Sequence, residues 1–196
     1  VLRAMIDSPE FRAAPDSGNK VKTPLDYVVS AVRATNADVS EPYRLVSQLQ
    51  VMGMPMTGTQ EPNGYPMKND AWASSSELVN RMNFALALAT NRIPGVAVSM
   101  DDLLGQDGPA MTDMQREARL EQVVLNGRAS VDVHQAVVSS LSDPALETRA
   151  ASALVLAGDR GGSPFAAGIR TKSPPASQRD SIVLGLLIGS PEFQRR

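Results

Sequence analysis

The chain has no cysteine and a single histidine. The first absence removes disulfides, thiolate metal sites, iron–sulfur clusters and cysteine nucleophiles in one step. It leaves the compartment open, since a chain without thiols suits either redox environment. The second leaves His134 with no other imidazole or thiolate to complete a metal site. Catalytic use needs a partner within hydrogen-bond reach, so on a predicted helix His134 reads as a structural or surface residue. No charge of either sign prevails: 19 basic residues stand against 21 acidic, a net of -2. That argues against a nucleic-acid binder, whose affinity rests on a surplus of Lys and Arg. No apolar run approaches the roughly eighteen residues a membrane span needs, and no signal segment is visible.

The motifs of common chemistries are also missing. Ser74-Ser75-Ser76 has no Gly-x-Ser-x-Gly around it and is not a nucleophile elbow. Gly161-Gly162 follows no strand and is not a phosphate loop. Asp101, Asp102 and Asp107 lack the alternating spacing and closing Glu of an EF-hand, and Ser99 capping a helix through Asp102 accounts better for them. No catalytic residue, cofactor site or metal site is therefore assigned.

What is present is helical. With 196 residues at 42% hydrophobic, the chain is long enough for one good-sized domain. The 3.6-residue period predicts an all-α fold, an irregular bundle of about eight short to medium helices with one long ordered loop and at most a stray β-bridge. Leu2, Met5 and Ile6 open the chain already in helical rhythm, which reads as the inside of an element and hence a C-terminal fragment of a larger protein. Ser8-Pro9 and Thr23-Pro24 are cap-plus-proline helix starts; the first sends Phe11 inward, the second leads a face of Leu25, Val28, Val29 and Val32. A third helix carries Leu45, Val46, Leu49 and Met52 and stops at Gly53. Ser74 and Glu77 fit a capping box for a helix to Thr90 that is apolar on more than one side and belongs at the centre. Residues 1–92 thus supply the core helices and the loop.

Residues 109–158 form a smaller helical subregion. Thr112 and Gln115 cap a helix whose Met114, Ala118, Val124 and Leu125 face inward. Ser130 caps the next, and Asp143-Pro144 the one after, through Leu146, Ala150, Leu154 and Leu156. The Gly, Pro and Ser content of 159–178 predicts a mobile connection, and 179–196 hold a C-terminal helix with Ile182, Val183, Leu186, Leu187 and Ile188. The word SPEF occurs at 8–11 and again at 190–193; a serine-capped turn that lets Phe dock explains both.

The stretch from Gly53 to Trp72 is the one region where a functional reading competes. Loops of about twenty residues inside a compact domain are uncommon and tend to be functional or disordered, and its Met, Tyr and Trp content favours order. Tyr65 and Trp72, with Asn63, Asn69 and Asp70, would make an aromatic platform flanked by hydrogen-bonding groups, suited to a glycan or peptide. The rival is that both rings simply pin the loop to the bundle.

Four stretches carry a family resemblance: KVKTPLDYVVSAVRAT (20–35), MGMPMTGTQEPNGYP (52–66), Trp72 with SSSELVNRMNFALALA (74–89), and SPEFQRR (190–196). Together and in this order they resemble the C-terminal part of the bacterial family named domain of unknown function 1800. That family shows a Lys-x-Pro helix start, an Ala-x-Arg helix end, a Met-Gly-Gln-Pro stretch leading to Gly-Trp-Pro and a Trp, then an Arg-x-Asn-Phe-Ala helix. Met54 stands where the family has Gln and Tyr65 where it has Trp, so a surface they line would differ in this member. Residues 91–178 vary. The resemblance implies no activity and transfers no catalytic residue. It implies a bacterial, extracytoplasmic protein, periplasmic or secreted, often encoded beside a family resembling the alkaline phosphatases and sulfatases. The expected function is a non-catalytic interaction or scaffold module; the alternative is a substrate-positioning part of a hydrolase whose catalytic residues lie in a missing N-terminal region. Its partner is that region or the phosphatase-like neighbour.

Overall fold

A computed structural model describes residues 1–13, 20–59, 64–66, 68–127, 129–141, 152 and 175–195. Among them the fold is all-α, as expected. The elements are α1 (Leu2–Ile6), α2 (Pro9–Ala13), α3 (Pro24–Ala34), α4 (Pro42–Val51), α5 (Ser75–Ala89), α6 (Met100–Leu104), α7 (Asp113–Leu125), α8 (Val131–Leu141) and α9 (Pro175–Ile188). The only sheet among the described residues pairs β1 (Asp38–Val39) with β2 (Val96–Ala97), antiparallel. The helix expected at 143–158 and the connection after it lie outside the described residues as far as residue 174, apart from Ser152. The last helix starts at Pro175, four residues before the sequence reading placed it.

Local hydrogen bonding fixes most helix starts. Thr23 Oγ1 accepts from the Asp26 backbone N–H while the Asp26 carboxylate accepts from the Thr23 N–H, and Thr112 and Gln115 repeat the arrangement. Ser74 and Ser99 each accept from the N–H three residues on. Such caps satisfy N–H groups that the helix itself leaves bare.

Helix α5 lies at the centre, as its all-round apolarity predicts, and packs along α9. Phe84, Ala85, Leu86, Leu88 and Ala89 of α5 are buried, with Ile182, Val183, Leu184, Leu187 and Ile188 of α9. Gly185 lets the two approach closely: a Cβ there would stand 2.8 Å from Leu86 Cδ2 and 3.1 Å from its Cα.

Several inward faces differ from the sequence expectation, and Val46 of α4 and Leu78, Val79 and Met82 of α5 are among the exposed residues. On α3 the buried residues are Pro24, Tyr27, Val28 and Ala31, while Leu25 and Val29 are exposed. The stripe is turned because Tyr27 enters the core. Its ring meets Phe84 and Phe193 edge-on at 6.0 and 5.9 Å, and its hydroxyl lies 3.1 Å from the carbonyl oxygens of both Arg81 and Ile188. On α7 Met114 and Ala118 are exposed and Glu117, Leu120, Val124 and Leu125 face inward. Phe11 is 54% exposed although its turn is capped by Ser8 as predicted. In the second SPEF copy the same cap, Phe193 N–H to Ser190 Oγ, holds a Phe that is buried. The difference is what lies nearby: Phe193 has Tyr27 to pack on and Lys22 Nζ 4.0 Å above its ring.

The chain end is tied to the segment before α3. Lys22 N–H donates to Gln194 O, Val21 bridges Arg195, and buried Arg81 donates from Nη2 to Lys22 O at 2.8 Å.

Candidate functional site

Glycine at position 53, with φ +76°, ends α4 in the left-handed region and turns the chain into the long loop. Two aromatic side chains then close it on itself. The Tyr65 hydroxyl donates to Pro55 O, and Trp72 Nε1 donates to Pro66 O at 2.8 Å. Their rings stand 6.1 Å apart, so the structure brings the two residues together. Trp72 is buried, at 4% exposure, on a short 3-10 turn (Asn69–Trp72), and Tyr65 is half-buried. Asn69 Oδ1 accepts from the Val21 N–H at 3.2 Å, tying the loop to the segment before α3. Asn63 and the side chain of Asp70 lie outside the described residues.

Beyond Trp72 the surface opens into an apolar cavity of about 510 Å³ where α5, α8, α9 and the C-terminal turn meet. Leu78 and Met82 of α5, Val133 and Val137 of α8, and Leu186 of α9 line it, and Arg195 adds a positive charge. Met82 is 46% exposed. No feature of the sequence singled out this groove, because the side chains forming it come from stretches far apart in the chain, from Val21 to Arg195.

A second feature sits on the hairpin of α7 and α8. Asn126 and Gly127, both in the left-handed region at φ 51° and 71°, terminate α7, and Ser130 caps the α8 start by accepting from the Val133 N–H. This turn brings His134 onto the face of α7 that carries Glu117 and Glu121. His134 Nδ1 lies 3.1 Å from Glu121 Oε1 and 3.2 Å from Glu117 Oε1. Glu117 is 2% exposed. Neither of its carboxylate oxygens has a hydrogen bond among the described residues; Nδ1 bonds Glu121 instead.

The family model described as Protein of unknown function (DUF1800) matches residues 1–195. The chain belongs to that family. The match runs through 91–178, where the sequence motifs give out. No curated protein and no solved structure matches it. Membership in DUF1800 therefore brings no activity with it, and the chemistry of this member has to be read from its own side chains.

At the α7–α8 hairpin that chemistry is acid–base. Burial, and next the neighbouring Glu121, push the Glu117 carboxyl up to about 7, and the two glutamates, Glu121 first, raise His134 above its ordinary value. A carboxyl so raised keeps its proton in the folded state above the pH of about 4.5 at which the unfolded chain releases it, so stability is expected to fall as pH rises toward 7. His134 acts in the same direction, because its favourable contacts with the carboxylates are complete below its unfolded pKa and are lost as pH rises through the folded one. The expected result is a melting temperature, measured after chelator treatment, that declines from pH 5 to pH 8. Glu117→Gln should flatten the decline; an equally steep decline in the variant would contradict the assignment.

Proposed function

We propose that this DUF1800 chain is a non-catalytic helical interaction module of an exported bacterial protein, and that its apolar groove receives a helix from elsewhere in the same longer protein. The observation that carries this is the groove of α5, α8 and α9: its lining is apolar, Met82 is left half open to solvent, and a single cation, Arg195, stands ready for an acidic side chain. An amphipathic helix laid in such a groove is a common way for polypeptides to recognise one another. A polypeptide partner of the same protein is favoured because a second apolar face also lacks cover: Leu2, Met5 and Ile6 of α1 and Phe11 of α2 are all exposed. The export assignment rests on the family resemblance alone. In this reading the loop supports the groove, since Ala73 follows Trp72 into its wall, and half-buried Tyr65 is the member of the aromatic pair with surface left for a partner.

Titration calorimetry of the chain against whatever further polypeptide its gene encodes tests the proposal. The expected dissociation constant is about 1 μM or tighter. Met82→Asp should weaken it at least about tenfold, as loss of an apolar anchor does, with the melting temperature little changed. Absence of binding, or binding indifferent to Met82→Asp, would refute it. Capture of an exported phosphatase-like protein in the groove would keep the site and replace the partner. Hydrolysis of ester, phosphate or glycoside substrates by the chain alone would overturn the non-catalytic reading.

A further inference from the structure

We propose that Glu117, Glu121 and His134 form a binding site for a first-row divalent cation, zinc foremost, which clamps α7 to α8. One donor atom from each residue lies within 4.8 Å of the others. The two separations measured from His134 Nδ1, 3.1 and 3.2 Å, are those of neighbouring ligands on one ion: metal–ligand bonds of about 2.0–2.2 Å place adjacent donors about 3.0–3.5 Å apart. Two carboxylates and an imidazole, with no sulfur, suit zinc or manganese. Calcium is disfavoured, because it takes about six to eight oxygen donors at longer range and has little use for imidazole.

The second observation is the state of Glu117. Its carboxylate is shut away from solvent, has no hydrogen bond on either oxygen among the described residues, and points at the other two groups. A helix gains nothing from that arrangement, since two glutamates at i and i+4 repel, and burying a carboxylate is costly when its nearest cation is a half-exposed imidazole that is charged only when protonated. A dipositive ion between them resolves both difficulties. His134 supplies the third bond from the opposite helix, and its half-exposed ring leaves the outer coordination positions to water. The site differs from the groove, although Val133 of α8 neighbours His134 and belongs to the groove wall, so cation binding would also hold that wall in place.

The composition makes the test clean, because with no cysteine and one histidine any imidazole-bound metal must be at His134. The intact chain, freed of metal with a chelator, is titrated with zinc while the long-range proton–nitrogen NMR signals of its single imidazole are recorded; cobalt is added in a parallel titration read by its visible absorption. The expected result is saturation at one ion per chain, a shift of Nδ1 rather than Nε2, a higher melting temperature, and proton release. Glu117→Gln should weaken zinc at least about tenfold, as even loss of a supporting residue commonly does. Glu121→Gln should do the same should the first variant fold poorly. An imidazole signal unmoved at saturating zinc, or a Glu117→Gln affinity equal to the parent's, would overturn the site. Neither outcome bears on Met82, so the groove stands or falls separately.

Discussion

Replacing Tyr27 with alanine is expected to destabilise the fold by about 3–5 kcal/mol, the range for deleting a large buried aromatic side chain. Most domains have only about 5–15 kcal/mol in total, so the variant should melt far below the parent or fail to fold. Tyr27 is where three parts of the chain converge. Its ring lies edge-on between Phe84 of α5 and Phe193 of the C-terminal turn, and the Arg81 guanidinium stands 5.3 Å from its centre. Its hydroxyl reaches Ile188 O, one of the carbonyls that the end of α9 leaves without a helical partner. Burial raises its pKa, so the phenol stays a donor at every ordinary pH. Tyr27→Phe separates the two contributions: it keeps the ring and loses only the hydroxyl, at a cost of about 1–3 kcal/mol for the Ile188 carbonyl left buried and unmet. Urea unfolding of the pair provides the measurement. An alanine variant within 1 kcal/mol of the parent, on the scale of ordinary surface changes of about 0.5 kcal/mol, would remove Tyr27 from the centre of the core.

Trp72→Ala should have an effect of similar size, about 3–5 kcal/mol, though it sits in a loop. The indole is buried and its N–H donates to Pro66 O. With Tyr65 bonded to Pro55 O, removal of Trp72 takes away the surface against which the loop folds back. As the only tryptophan of the chain, it reports on itself. Native emission should be blue-shifted and resist acrylamide quenching, and Trp72→Phe should retain most of the stability by filling the space without the N–H. Ready quenching in the native state would instead place the indole in solvent, where a recognition platform needs it.

The caps were legible because both partners lie within four residues of each other: Thr23 with Asp26 and Thr112 with Gln115 need nothing from the rest of the chain. Central α5 was legible in its second half, where Phe84, Ala85, Leu86, Leu88 and Ala89 are covered, whereas Leu78, Val79 and Met82 of its first half stay exposed. The direction of the buried face was not. Periodicity marks Leu25 and Val29 as well as Val28, and only the arrival of Phe84, Phe193 and the end of α9 favours the Tyr27 side. The two SPEF turns make the same point: the local cap is identical, and a distant partner decides which Phe is buried. For Glu117 and Glu121 a signal was present, a like-charged i, i+4 pair sharing a face with Leu120 and Val124, but its meaning depends on His134 coming round from α8.

The central claim, that the groove of α5, α8 and α9 receives a helix of the same protein, is met most directly by a photo-crosslinking residue placed at Met82 of the protein as its gene encodes it, with Val79 of the exposed α5 surface as control. The account expects an intramolecular crosslink from Met82, mapped by mass spectrometry to an amphipathic helix outside 1–196, and little from Val79. No crosslink at Met82, or equal and scattered products from both positions, would contradict it.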